Sequence, residues 1–264
     1  MVKTVPPSTT GPGANRPLLE RILHEAWEFS QAKRPFLAVF DLDSTLFDLT
    51  LRVSSIVDEF ALDPASVARF PRECEALKKV QILSTDWGLD EPLSRIGITK
   101  ATSPDFMHAL HECWAAGFFS NDFLIYDEPL PGAVEYVQEL HQLGAHIMYL
   151  TGRDIPRMEV GTAKSLRDRG FPMDAETVQM ILKPVAELDD AHFKLEVLQK
   201  AEETYERIWL FENEPVNLNL VAKHCPEIGL VFIDSVHSGR EEVDATLDSI
   251  RHFEVDLAEF RKIR

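Results

Sequence analysis

The chain has few cysteines, and the three it has are poorly placed for bridging. Cys74, Cys113 and Cys225 are odd in number, far apart and outside any CxxC pair, which argues against a disulfide framework and against a zinc site. Long apolar runs are missing too. Nothing approaches the roughly 18 uninterrupted apolar residues of a membrane span, and the opening MVKTVPPSTTGPGANRP lacks the basic, apolar and small-residue order of a secretory signal. The expectation is a cytoplasmic protein with no membrane partner. Positive charge is scarce: 27 Lys and Arg stand against 44 Asp and Glu, for a formal charge of −17. A surface of that sign repels polyanions, and no stripe of Lys and Arg interleaved with aromatics interrupts it, so no nucleic-acid partner is expected. A local basic pocket for a small anion is compatible with this balance. There is no internal repeat, and the oligomeric state is not written in the sequence.

What is present is enough apolar material for a core. At 264 residues and 45% hydrophobic composition, the chain suits one large domain or a domain with an insertion. Residues 1–16, rich in Pro, Gly, Ser and Thr, read as a mobile tail, followed by a helix in which Leu18, Leu19, Ile22, Leu23, Ala26 and Trp27 recur at helical spacing. Phe36 to Phe40 is a short, continuously apolar run, as expected of a strand buried on both faces of a parallel sheet. Ala145 to Leu150, Val178 to Leu182, Ile208 to Phe211 and Gly229 to Ile233 repeat the pattern, with helical stretches between them. Pro131 to Leu143 closes at Gly144 and Ile155 to Arg169 closes at Gly170, matching helix start and stop chemistry. Alternation of this kind predicts an α/β fold with a doubly wound, Rossmann-like parallel sheet. The first two strands are too far apart for a simple crossover, so residues 49–126 read as an inserted, mainly helical unit. Ser66 to Leu83 and Asp105 to Trp114 are its predicted helices, with a loop around Trp87, Gly88, Pro92 and Gly97 between them. Residues 1–48 and 127–264 form the core.

Polar residues directly after the apolar runs converge, because ligands in open α/β sheets collect outside the carboxyl ends of the strands. Here they are Asp41-Leu42-Asp43-Ser44-Thr45, Thr151-Gly152-Arg153-Asp154 and Glu212-Asn213-Glu214. Such a cluster of carboxylates, hydroxyls and free amides suits phosphoryl transfer. Asp41 is the candidate nucleophile, which calls for Mg²⁺ to offset repulsion from the phosphate oxygens. Asp41, the Asp43 backbone carbonyl and Glu212 are candidate oxygen ligands, with Asn213 beside them. Asp43 is placed to protonate the leaving alkoxide and then deprotonate the attacking water. Thr151 and the Gly152 amide are candidates for the phosphoryl oxygens, Ser44 and Arg153 for further substrate contacts, and a lysine at a helix start for the remaining charge.

Phe40-Asp41-Leu42-Asp43-Ser44-Thr45-Leu46 resembles the first motif of the haloacid dehalogenase superfamily in its phosphatase branch. The second motif of that superfamily, a Thr or Ser ending a strand, is similar to Thr151, and its lysine motif is similar to Lys194. Its acidic pair is similar to Glu212-Asn213-Glu214, with a departure: Glu replaces the usual Asp, and Asn213 stands where a second carboxylate is common. The resemblance runs in motif order from Phe36 to Asp234. It implies that residues 49–126 are a helical cap of the first cap class, and that the chain is a Mg²⁺-dependent phosphomonoester hydrolase acting through an aspartyl-phosphate on a small phosphorylated metabolite.

Other readings stay beside these. Lys183, directly after the third strand, is a rival to Lys194. Glu214 beside Pro215 also suits a helix dipole, and Asp234 and His237 also read as structural edge groups. Arg72, Lys78 and Lys79 read as a solvated helix face, and Trp87 and Trp114 as core. A phosphomutase, a dehalogenase and a non-catalytic binding module are the competing functions. Asp43 speaks against the dehalogenase, because displacement of a halide needs no acid.

Overall fold

The computed structural model describes residues 16–263. The tail expected over residues 1–16 lies outside them except for Arg16, which opens α1 (Arg16–Gln31). Then follow β1 (Phe36–Phe40), β2 (Phe47–Asp48), α2 (Thr50–Leu62), α3 (Pro64–Arg69), α4 (Pro71–Leu77), α5 (Asp90–Arg95) and α6 (Pro104–Phe118). A short 3₁₀ turn over Asp122–Tyr126 leads to β3 (Glu128–Pro129) and α7 (Ala133–Gln142). The remainder alternates regularly: β4 (His146–Asp154), α8 (Ile155–Asp168), β5 (Val178–Lys183), α9 (Asp190–Glu202), β6 (Arg207–Glu212), α10 (Pro215–His224) and β7 (Gly229–Ile233). The chain ends in β8 (Asp248–Ile250) and α11 (Leu257–Ile263).

Among the described residues the main sheet has six strands in the order β5-β4-β1-β6-β7-β8, all paired in parallel. All five β1 residues are buried, and their alternation assigns them to two layers. Phe36, Ala38 and Phe40 pack with α1 and α7 on one face; Leu37 and Val39 pack with α9 and α10 on the other. That is why the run carries no polar residue. Chain order moves outward from β1 through β4 to β5, then returns to the opposite side of β1 with β6. The reversal opens a crevice beyond the carboxyl ends of β1 and β6, where this class of sheet binds ligands.

The helices α2 to α6 lie between the two strands of a small antiparallel ribbon, β2 with β3, in which Phe47 faces Pro129 and Asp48 faces Glu128. They enclose their own apolar cluster around Val57, Phe60, Leu93, Phe106 and Leu110. The single helix predicted over Ser66 to Leu83 is two short ones. Phe70, forced out of helical geometry by the following Pro71, has φ −131° and ψ 56°, so α3 stops at Arg69 and α4 begins on the proline. After Leu77 the chain is irregular as far as Leu89. The loop predicted around Pro92 contains a further short helix, α5, with Pro92 in its first turn.

Candidate active site

Asp41 follows β1 directly, and its amide extends the ladder by donating to the Phe211 carbonyl at 3.0 Å. The chain then turns sharply. Phe47 N–H donates to Leu42 O at 3.0 Å and Ser44 N–H to Phe47 O at 2.9 Å, while Ser44 adopts a left-handed φ of 60°. The Ser235 hydroxyl donates to the Ser44 carbonyl at 2.6 Å and ties this turn to the segment after β7. Asp41 and Asp43 therefore leave one loop in different directions.

Asp41 meets Lys194. This lysine lies in the first half of α9, whose start is capped by Asp189 accepting from His192 N–H. Its ammonium donates to Asp41 Oδ1 at 2.6 Å and to Glu212 Oε2 at 2.7 Å, with all three side chains buried. Glu212 is held from every side: Oε1 accepts the Asn213 and Glu214 amides, each at 2.9 Å, and Oε2 also accepts Asn217 Nδ2 at 3.0 Å. Burial pushes the Asp41 carboxyl up to about 7, with Lys194 pulling down and the Glu212 charge adding to the rise. For Lys194 burial opposes the charged form, but two adjacent carboxylates overcome it and hold the ammonium well above its ordinary range. Two buried carboxylates thus share one cation.

Asp43 meets arginines. Its carboxylate accepts Arg153 Nε at 3.1 Å and Arg153 Nη2 at 2.6 Å, and Arg52 Nη2 at 2.7 Å. Both arginines also hold Asp127: Arg52 through Nε and Nη2 at 2.6 and 2.5 Å, Arg153 through Nη2 at 2.8 Å. Arg52 and Asp127 are fully buried, and the Arg52 guanidinium lies 4.8 Å over the Phe118 ring. Desolvation alone would raise the Asp43 carboxyl, but Arg153 and Arg52 together hold it well below the usual carboxylate range. Arg153 in turn is raised by Asp43 and Asp127 against its own burial.

The remaining candidates divide between the site and its scaffold. Thr151 is buried at the strand end and its hydroxyl accepts the Arg153 amide at 3.3 Å. A Cβ at Gly152 would stand 2.6 Å from Asp190 Oδ2, so any side chain there would displace the Asp190 carboxylate. Asn213 binds the Thr45 hydroxyl at 3.1 Å and donates to the Val236 carbonyl at 2.7 Å, which joins the first loop to the segment after β7. Lys183 does not reach Asp41; it closes the loop before α9 through Asp190 and the carbonyls of Ala186 and Leu188. Glu214 accepts the Ser238 amide and hydroxyl, and Asp234 pairs with Arg251. Arg52, Asp127 and Asn217 join the cluster although they belong to no motif in the sequence. An arginine on the buried face of a helix otherwise rich in Val, Ile and Phe was the available hint for Arg52.

Among the described residues, no three His, Cys, Asp or Glu side chains form a cage that could hold a metal ion. The donor chemistry nevertheless fits a magnesium ion bound by few protein groups, which keeps several waters and leans on the substrate phosphate. Asp41 and Glu212 carry one negative charge more than Lys194 balances. Asp41 Oδ2 and the Asp43 carbonyl oxygen accept no hydrogen bond among the described residues, whereas all the Glu212 bonds are internal.

The parallel sheet thus carries a carboxylate, a lysine and a second acid at its switch point. The chain belongs to the haloacid dehalogenase-like hydrolase family, whose sequence model matches residues 37–218. No curated protein sequence matches it. Among solved structures, the chain is similar to a proposed phosphatase from Clostridium difficile at 13% identity and a TM-score of 0.51, covering 82% of this chain and 94% of that one. It is also similar to a predicted phosphoglycolate phosphatase from Haemophilus somnus at 15% identity and a TM-score of 0.51, covering 87% of this chain and 97% of that one. At these identities the likeness is one of fold.

Proposed function

We propose that this hydrolase cleaves phosphate monoesters, with Asp41 as the nucleophile. The observation that carries the reading is the Lys194 ammonium shared between Asp41 and Glu212 at the crevice of the sheet. In the first half-reaction an Asp41 carboxylate oxygen bonds to phosphorus, the ester oxygen leaves with the bonding pair, and an aspartyl-phosphate remains. In the second, water attacks that phosphorus, inorganic phosphate departs and the Asp41 carboxylate is restored. Mg²⁺, when bound by the Asp41 carboxylate and the Asp43 carbonyl oxygen, would screen the repulsion between carboxylate and phosphate. Lys194 orients Asp41 and partly offsets the rise that burial imposes on its carboxyl. The Thr151 hydroxyl and the Gly152 amide stand at the neighbouring strand end as donors for phosphoryl oxygens.

Asp43 has a second task. The ester oxygen needs a proton when the alcohol is a poor leaving group, and the water must lose one, both at an Asp43 carboxylate oxygen. The two arginines on Asp43 hold its carboxyl well below the usual carboxylate range and so oppose its protonation. That pairing favours a second reading within the same chemistry, a leaving group that departs without protonation, as in an aryl phosphate.

The test is turnover of an aryl phosphate by the whole chain with and without Mg²⁺, with mass spectrometry of the acid-quenched protein. Phosphate release that depends on Mg²⁺ and a phosphoryl adduct on Asp41, both lost by at least ~10³-fold in Asp41→Asn, are the expected results. Turnover retained by Asp41→Asn removes Asp41 from its role, and no turnover with any ester favours the binding-module reading.

A further inference from the structure

Between the site loop and the inserted helices lies a cavity of about 250 Å³. Ser44, the residue after Asp43, is in its wall, and so is Val236, whose carbonyl is bound by Asn213. The wall opposite the sheet is aromatic. Trp114, Phe118 and Phe119 touch one another, with ring centroids 4.9 Å apart for Trp114 and Phe118 and 5.1 Å for Phe118 and Phe119. Phe47 and Val53 continue the lining, and Trp87 forms part of the wall while 54% exposed. Trp87 and Trp114 are therefore not simply core residues, as their sequence context suggested.

The charges are as telling as the rings. No Lys, Arg or His lines this cavity; its two charged residues are Asp48 and Asp86. Asp86 is spent on Arg95, which grips both of its oxygens at 2.7 and 2.6 Å. Asp48 accepts the Thr50 amide at 2.7 Å. A ligand group entering here meets ring faces, methyls and a few hydroxyls, and an anionic substituent would find no partner and a net negative wall. A cavity of about 150 Å³ lined by aliphatic and aromatic groups suffices for benzene, so this one has room for a substituted ring.

We propose that the cavity takes the alcohol side of the substrate and selects phosphate monoesters whose leaving group is uncharged and apolar, an alkyl-substituted phenol or similar ring. The inference rests on the phosphatase reading for the position of the phosphoryl group. It narrows the small phosphorylated metabolite that the family resemblance implied.

The experiment is a series of 4-alkylphenyl phosphates from methyl to butyl, hydrolysed by the full chain with Mg²⁺ beside 4-carboxyphenyl phosphate and phosphoglycolate. The leaving phenols of the alkyl series are nearly equal in acidity, so any trend reports the cavity. Each added methylene should raise kcat/KM by about three- to fourfold until the space is filled. The two anionic esters should lie at least tenfold below the butyl compound. A flat series, or a faster reaction with either anionic ester, overturns the inference while leaving the phosphatase reading standing. The matching 4-alkylphenyl phosphonates, which cannot be hydrolysed, give a second readout by calorimetry. If no ester turns over, the phosphatase reading falls, and phosphonate affinity alone decides: affinity that climbs with chain length sustains the apolar site, and constant affinity ends it. Ser84→Arg puts a cation on an exposed part of the wall and should shrink the gain per methylene while raising the rate on 4-carboxyphenyl phosphate. Unchanged ratios in that variant would show that substrates bind elsewhere.

Discussion

Asp41 and Asp43 stand two residues apart on one loop and are held in opposite electrostatic surroundings. Around Asp41 the carboxylates outnumber the cations: Asp41 and Glu212 divide one ammonium, and burial raises the Asp41 carboxyl to about 7. Around Asp43 the count is even, with Asp43 and Asp127 interleaved between Arg52 and Arg153, and the carboxyl is driven down. The shifts run opposite to the usual division, in which the raised carboxyl carries the proton and the depressed one is the nucleophile, so the roles proposed here call for added positive charge at Asp41 and loosened arginines at Asp43. The difference also says where each centre is incomplete. The Asp41 side has negative charge in excess, which a divalent cation would satisfy, whereas the Asp43 side is already neutral and must part from its arginines before it exchanges protons. The two sides also differ in origin. Lys194 and Glu212 come from the core sheet and its helix, but Arg52 comes from α2, the first of the inserted helices.

After the loss of Asp41 itself, the largest effect should come from removing Asp43's charge. Asp43→Asn is expected to slow hydrolysis of alkyl phosphates by about 10²- to 10⁴-fold if Asp43 serves as acid and base, and aryl phosphates by much less. Kinetics on matched alkyl and aryl esters decide it. Equal losses on both would mean that Asp43 acts through its arginines as a positioning group, and the contrast with Asp41 would then be one of structure and not of proton transfer.

Next in size is the Lys194 bridge. Lys194→Met leaves two buried carboxylates without their cation, a change of the kind that costs about 3–5 kcal/mol. The cost should depend on pH. A carboxyl whose folded pKa is raised contributes stability that is fully present below its unfolded value of 3.8 and is lost as pH rises through about 7. Without Lys194 this penalty for ionisation grows, so the Tm deficit of the variant, measured with a chelator present, should be wider at pH 8 than at pH 5. The Asp43 network behaves in the reverse sense, since a depressed carboxyl gives stability that is present above 3.8 and lost as pH falls below it. A deficit of the same size at both pH values would show that Lys194 supports the site by packing and not by charge.

How far the sequence carries the fold and the site depends on whether neighbours in space are also signalled along the chain. β1 is readable from Phe36–Phe40 because burial on both faces leaves no place for a polar residue. β8 is not: it has three residues, two of them exposed, and no period to detect. Asp41, Thr151 and Lys194 follow from strand ends and motif order, because the sheet brings such positions together whatever lies between them. Arg52 and Asp127 are 75 residues apart and belong to no motif; their pairing exists only once α2 and β3 are packed against the core. The break at Pro71 was signalled by the proline itself, whose rejection of a helical residue before it outweighs the apolar spacing from Ser66 to Leu83.

The smallest effect concerns the turn that keeps the two acids apart. Ser44 holds a φ of 60°, in the left-handed region where a Cβ is strained and glycine is not. Ser44→Gly removes that strain and adds backbone freedom to the unfolded chain; the two contributions are each about 1 kcal/mol and opposed, so stability should change little. Ser44→Val is larger as well as β-branched, and at this φ it should cost about 1–3 kcal/mol. Thermal unfolding of the two variants compares them with the hydroxyl absent from both, so a difference reports tolerance of the turn and side-chain bulk and not the lost hydroxyl contacts. The valine variant should also turn Asp43 away from Arg153 and slow hydrolysis of alkyl esters more than of aryl esters, whereas the glycine variant keeps the wild-type ratio. If valine is tolerated as well as glycine, the left-handed turn is not what aims Asp41 at Lys194 and Asp43 at the arginines.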